Sequence, residues 1–254
     1  HNKKLSKQIA HQQKFVDRFR FKASLASRAQ SKVKHIAKLR TKVAAINTAL
    51  ATTKITIPSP HFVAGTALHT DDLKIGYGDF EVASKIDFEI VRGEKVVIAG
   101  ENGRGKSTLL KTIAGRIPSL GGTFKWWHRA NIGYYDQKTE ATLKSTDTVL
   151  KYLTRMAPID ASSERLLMMA GNFLFRNDDL DKSVSVLSGG ERARLCLAGV
   201  LLHEHNVLLL DEPTNHLDVE TTEALALALK EYKGTVIVIS HARTFINTLV
   251  DKVF

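Results

Sequence analysis

The sequence predicts an α/β fold: a largely parallel sheet covered by helices on both faces, with a long basic helical arm ahead of it. Three observations carry this. From about residue 67 onward, short apolar strands alternate with helices, the pattern of a buried parallel sheet. A Gly-rich loop stands between a strand and a helix near residue 100, where such sheets bind ligands. Residues 1–50 contain no Gly and no Pro and are rich in Lys, Arg, Gln and Ala, all good or tolerable helix formers.

Within the arm, Ile36, Leu39, Val43, Ile46 and Leu50 recur by threes and fours, the spacing of a heptad seam. Phe15 and Phe19 are four apart and share a face. Such a stripe needs a partner helix, expected as an antiparallel helix ahead of His1. The chain starts at His1 and stops at Phe254 inside an apolar pattern, so it reads as a segment of a longer polypeptide. The expected divisions are an arm (1–51), a connecting segment (52–66) that includes Pro58-Ser59-Pro60, and a globular domain (67–254).

Charge separates the parts. Residues 1–57 hold 14 Lys/Arg and one acid, Asp17, a net +13; residues 58–254 hold 23 Lys/Arg and 25 acids, a net −2. A charge run is usually a solvated helix face. With one acid against fourteen bases, paired surface charge explains this one poorly, and a phosphate-rich partner explains it better. At 43% hydrophobic residues over 254 positions, the chain is not disordered. No apolar run approaches the ~18 residues of a membrane span, the start lacks a signal peptide's apolar core, and no membrane partner is expected. The single cysteine, Cys196, lies in an apolar helical stretch and reads as a buried thiol in a reducing cytoplasm.

In the globular part the patterns predict strands over 68–75, 82–90 and 95–99, a helix over 107–114, and a strand pair within 126–135. Residues 147–204 read as mainly helical. A strand (207–210), a helix (221–231), a strand (235–240) and a helix (244–249) follow.

Gly100-Glu-Asn102-Gly103-Arg-Gly105-Lys106-Ser107 fits G-x-x-x-x-G-K-[ST], between strand and helix as such a phosphate loop requires. Its glycines let backbone N–H groups close on phosphate oxygens, and the helix N-terminus adds positive potential. Lys106 can reach the outer phosphates, Ser107 can ligate Mg²⁺, and Thr108 follows on the helix. Asp211 ends a buried strand where it can hold Mg²⁺, and Glu212 beside it can polarise an attacking water. Alone, that pair equally suits a surface strand end. Ser188-Gly189-Gly190-Glu191 fits a helix capping box, with two glycines exposing amides to an anion.

With the residues before it, Leu187–Glu191 resembles the signature of the ATP-binding-cassette family. The resemblance implies a P-loop cassette: a mainly parallel sheet core, an antiparallel β subdomain and a helical subdomain at about 147–204. It implies that Ser188, Gly189, Gly190 and Glu191 act in trans on ATP held by an opposite cassette. It further implies that Tyr77 stacks on adenine, that Gln137 contacts Mg²⁺ and water, that Asn215 and Asp218 couple the two sites, and that His241 sits near the γ-phosphate. A strand tyrosine and a structural histidine are the plain alternatives for Tyr77 and His241. The implied cofactors are ATP and Mg²⁺, and the implied reaction is ATP hydrolysis.

Three details resemble the ABC-F class of ribosome-associated twin-cassette proteins: Ser-Gly-Gly-Glu-Arg-Ala-Arg (188–194), Asp-Glu-Pro-Thr-Asn-His-Leu-Asp (211–218), and the basic stretch 13–23 followed by Ala29-Gln30-Ser31. They imply the second half of an inter-cassette linker plus a second cassette. The implied partners are the ribosome (rRNA and tRNA, near the exit and peptidyl-tRNA region) and an N-terminal cassette or a second copy of the chain. Arg18, Arg20, Lys22, Arg28, Lys32 and Lys34 are the candidate RNA contacts. Housekeeping translation, rescue of stalled ribosomes and antibiotic resistance all fall within this class. A transporter's ATPase subunit and an ATP-binding regulatory module with little turnover remain the competing readings. Two positions depart from the family: Ala242 stands where Asp usually follows the switch histidine, and Arg104 replaces a commonly small residue and is expected to point outward, adding charge near the phosphates.

Overall fold

Alternation along the strands decides the architecture. In the computed structural model, which describes residues 55–61, 63–136 and 142–254, nine strands form two sheets among the described residues. The antiparallel sheet centres on β1 (Thr66–Tyr77), which pairs with β2 (Phe80–Ile86), β3 (Glu89–Val91) and, further along the chain, β5 (Gly121–Trp126). The second sheet is wholly parallel. It adds β4 (Lys95–Val97), β6 (Ile132–Tyr135), β7 (Val207–Asp211), β8 (Thr235–Ile239) and β9 (Lys252–Val253), in the order β6-β7-β8-β4-β9.

Every residue of β7 and β8 is buried, as expected of strands covered on both faces. Successive side chains point to opposite faces. Val207, Leu209, Ile237 and Ile239 pack with Leu68, Leu73, Ile75 and Ile90 of the antiparallel sheet and with Leu110 and Ile113 of helix α1 (Lys106–Ile113). Leu208, Leu210, Val236 and Val238 face the helical layer. That layer comprises α2 (Val149–Met156), α3 (Ser163–Asn172), the short α4 (Asn177–Leu180), α5 (Gly189–Leu202), α6 (Val219–Glu231) and α7 (Arg243–Leu249). Side-chain oxygens of Thr148, Ser162, Ser188 and Asp218 cap α2, α3, α5 and α6, each satisfying an otherwise orphaned N–H.

The structure revises several sequence expectations. The strand expected over 82–90 is split into β2 and β3 around Asp87-Phe88. There Thr70 Oγ1 accepts from the Phe88 N–H at 2.9 Å, and the register against β1 shifts. The strand pair expected within 126–135 is not a pair. β5 and β6 join different sheets, because a period of two identifies a strand without naming its neighbour. Ile55 and Ile57, in the segment read as a connector, are buried in the helical-side core. Cys196 is a free buried thiol. The described residues all fall in one unit, residues 54–254. The expected arm helix and its candidate RNA contacts Arg18, Arg20, Lys22, Arg28, Lys32 and Lys34 lie outside the described residues, as does Gln137.

Asp147 ties the helical layer together. Its side chain is 2% exposed and takes Arg155 at 2.9 Å and Lys151 at 3.3 Å. Its carbonyl accepts from Val184 N–H at 2.9 Å. The hydrogen bond from Arg155 holds its carboxyl below the usual aspartate range. The stabilisation is therefore full above the unfolded-state value near 3.8 and is lost as pH falls through the lower folded value. Asp147→Ala should lower Tm by several degrees at pH 7. Thermal scans at descending pH should show that deficit shrinking below about pH 4, and a deficit that is constant with pH would assign it to packing instead.

Candidate nucleotide site

Three parallel strands end side by side at one sheet edge, and each delivers functional groups there. The ladder continues past the strands: Ile98 N–H donates to Val238 O at 2.9 Å, and Glu212 N–H donates to Ile239 O at 2.9 Å. The loops after β4, β7 and β8 are thereby fixed relative to one another. Between them lies a cleft of about 400 Å³ lined by Tyr77, Phe80, Val82, Asn102, Gly103, Gly105, Lys106, Ser107, Thr108, Asp211, Glu212, Ile239 and His241. Ten of these are residues the sequence singled out, and they come from four separate stretches of chain.

The loop after β4 has the geometry that can close on an anion. Gly105, the N-cap of α1, has φ +88, and a Cβ there would lie 2.6 Å from Val82 Cγ1, so only glycine fits. Lys106 Nζ donates to the carbonyls of Gly100 (2.8 Å) and Glu101 (2.7 Å). The ammonium is thus folded over its own loop, within reach of an entering anion. Arg104 points outward as expected, but it pairs with Glu101 at 3.0 Å, which offsets the charge it would add. Tyr77 is 49% exposed, and its hydroxyl accepts from Thr108 Oγ1 at 3.5 Å. Directly across the β1–β2 hairpin stands Phe80, 71% exposed and also lining the cleft. Sequence reasoning missed Phe80, because an aromatic on a strand is ordinary; its place beside a turn, three residues from Tyr77, was the available signal.

At the acidic edge, burial raises the Asp211 carboxyl above its ordinary value, against the opposing effect of a hydrogen bond from Ser107. A buried carboxylate bonded to a hydroxyl, with Lys106 and Lys111 nearby, is an oxygen-donor set suited to a hard cation such as Mg²⁺ completed by phosphate and water. Burial likewise raises Glu212, opposed by His241. Glu212 has φ +50, a left-handed conformation that costs a non-glycine residue about 1–2 kcal/mol and turns its carboxylate into the cleft. His241 Nε2 lies 2.9 Å from Asn102 Oδ1 and 3.4 Å from Glu212 Oε1.

Among the described residues, the other expected ones lie off the cleft. Ser188 caps α5 with the reciprocal box its spacing predicts: Glu191 N–H donates to Ser188 Oγ at 3.3 Å, and Ser188 N–H donates to Glu191 Oε2 at 2.8 Å. Ser188 and Gly189 are exposed, and Gly190 is half-buried. Asp218 caps α6 through a 2.8 Å bond from Thr221 N–H. Asn215 lines a small crevice with Glu212, His216 and the α5 residues Ala193 and Cys196. Arg194 on α5 donates to His216 O at 3.5 Å, so the segment 211–218 joins the cleft to the signature helix.

Taken with the parallel sheet, this cleft defines a P-loop nucleotide-binding domain. The ABC transporter family profile matches residues 83–215, and the related extension profile matches residues 1–55; the chain belongs to the ATP-binding-cassette family, and its globular unit is an ATPase cassette. It is 34% identical over 256 residues to the probable ATP-binding protein YbiT of Escherichia coli O157:H7, covering 99% of this chain and 47% of that protein. It is 38% identical over 201 residues to ABC transporter F family member 2 of Arabidopsis thaliana, covering 79% and 30%. An archaeal ribosome recycling factor, aABCE1, solved with the ribosomal stalk protein aP1, shares the fold at a TM-score of 0.58 and 26% identity over 77% of this chain and 37% of its own. The chain therefore spans less than half of each of these relatives. Among the described residues no helix is long and apolar enough to cross a membrane.

Ala242, the departure from the family, begins α7 with no side-chain cap and with the extended backbone (φ −76, ψ 100) that a cap requires. Ala242→Asp should raise unfolding stability by about 1 kcal/mol, read from the denaturant midpoint at unchanged m-value. No gain would mean that the α7 N-terminus is satisfied in another way.

Proposed function

We propose that this chain is the second cassette of an ABC-F ATPase together with the second half of its inter-cassette linker, acting in the cytoplasm on the ribosome. The observation that carries the hydrolytic part is the meeting of Lys106, Ser107, Asp211, Glu212 and His241 in one cleft. Tyr77, with Phe80 beside it, stacks on the base. Backbone amides of 100–105 and Lys106 receive the phosphates. Ser107, Asp211 and Gln137 hold Mg²⁺, which supplies charge neutralisation to the phosphoryl group. Glu212, its proton affinity raised by burial, orients and polarises the attacking water. His241 donates toward the terminal phosphate. Catalysis of this kind is positioning and electrostatic stabilisation of a loose transition state.

Ser188, Gly189, Gly190 and Glu191 lie off the cleft, which supports their acting on ATP held by a partner: an N-terminal cassette of the same polypeptide or a second copy. Asn215 and Asp218 couple the two sites through the loop that reaches α5. The ribosomal part rests on the +13 of residues 1–57, on the F-family relatives, and on aABCE1, itself a ribosome recycling factor. Arg18, Arg20, Lys22, Arg28, Lys32 and Lys34 supply phosphate contacts to rRNA or tRNA, and ATP-driven closure and reopening of the cassette pair time binding and release.

Glu212→Gln should retain ATP binding and cut turnover at least about a hundredfold, leaving the protein trapped on ribosomes in a co-sedimentation assay. Turnover equal to wild type would sink the assignment of Glu212. In the same assay, wild-type affinity should fall steeply across a salt series, with a log–log slope shallower by roughly 0.7–0.9 for each basic arm residue that touches phosphate and is replaced by Ala. An affinity indifferent to salt would exclude the arm as a phosphate-binding element.

A further inference from the structure

His241 is carried by the loop after β8, and Asn102 by the phosphate loop, 139 residues away. The His241 side chain is 56% exposed, so packing does little to fix its ring, and hydrogen bonds must do so. Ala242 brings no carboxylate to the task. The Nε2 atom faces two oxygens, Asn102 Oδ1 at 2.9 Å and Glu212 Oε1 at 3.4 Å. The Asn102 amide oxygen only accepts, so at 2.9 Å the proton sits on Nε2. Glu212 Oε1, 3.4 Å from the same nitrogen, is the second oxygen beside it.

We propose that Asn102 is a positioning residue for His241: its amide oxygen fixes the Nε2–H tautomer and holds that N–H over the cleft where the terminal phosphate arrives. This rests on reading the cleft as an ATPase site. A carboxamide suits position 102 because it accepts from the imidazole without adding negative charge beside a polyphosphate, as Asp would. The same loop holds Lys106 on the carbonyls of Gly100 and Glu101. One short segment thus orients both cations or donors that face the outer phosphate, and ATP takes over the contacts that the loop supplies to itself.

The test uses the intact protein with Asn102→Ala, His241→Ala and the double variant. Long-range ¹⁵N–¹H NMR of the nucleotide-free protein, with His241 assigned by its loss in His241→Ala, should show the Nε2–H tautomer in wild type and a tautomer mixture in Asn102→Ala. Steady-state kinetics should show kcat lowered about tenfold in Asn102→Ala, with affinity for a fluorescent ATP analogue within about twofold of wild type. Adding Asn102→Ala to His241→Ala should cause no further loss. An unchanged tautomer in Asn102→Ala overturns the proposal, as do additive losses or a weakened affinity at constant kcat. A wild-type protein with no turnover would refute the ATPase reading instead, and the tautomer measurement would still decide the role of Asn102.

Discussion

The site depends on the register of three neighbouring parallel strands. β4, β8 and β7 pair Val97 with Val238 and Asp211 with Ile239, and backbone hydrogen bonds carry the pairing one residue beyond the strands on both sides. Each strand is buried on both faces, so a slip by one residue would exchange the side facing the helices with the side facing the antiparallel sheet. That exchange would disrupt two cores at once, the one holding Leu208 and Leu210 and the one holding Val207 and Leu209. The cost of slippage is what holds a lysine, two carboxylates and an imidazole from distant parts of the chain within one cleft.

On that frame the protein tolerates features that do not favour stability. Asp211 and Glu212 are both raised by burial, so keeping them charged works against the folded state. Glu212 also adopts a left-handed backbone. The loop that bears this strain is the one joined to α5, through the Arg194 guanidinium and the His216 carbonyl at 3.5 Å. Strain held by surrounding structure at one position, and a direct connection from there to a helix terminus, give a route by which a change at the cleft can reach the signature residues. Asp218 anchors the far end of the loop by capping α6.

Local chemistry was legible in the sequence, and pairing was not. The P-loop, the acidic strand end and the Ser188–Glu191 box each depend on residues within eight positions of one another, and each lies where its spacing indicated. The split between β2 and β3, the separate sheets of β5 and β6, and the short strand β9 depend on which distant strand is adjacent, which a period of two does not encode. Phe80 looked like any strand aromatic until the hairpin set it opposite Tyr77 at the cleft. The Asn102–His241 bond and the burial of Asp147 required the tertiary fold to become visible. Position 242 was conspicuous as a departure, yet only the structure shows that it also leaves a helix uncapped.

Two helix N-termini in this cassette can receive an anion, and they are not equivalent. α1 begins beside Asp211, Glu212 and His241, two carboxylates and an imidazole. α5 begins with Gly189 and Gly190, with the Arg192 guanidinium 3.9 Å from the Cβ position of Gly189. The carboxylate of its first turn, Glu191, is already bonded to the Ser188 N–H and hydroxyl, which holds it below the usual carboxylate range and leaves it poorly suited to act as a base. The α5 terminus therefore offers positive potential and amide donors without the groups that activate water. A terminus so equipped can steady charge on a nucleotide whose hydrolytic groups lie elsewhere. That difference between the two termini is what the proposed division into a hydrolytic face and a face presented to a partner rests on.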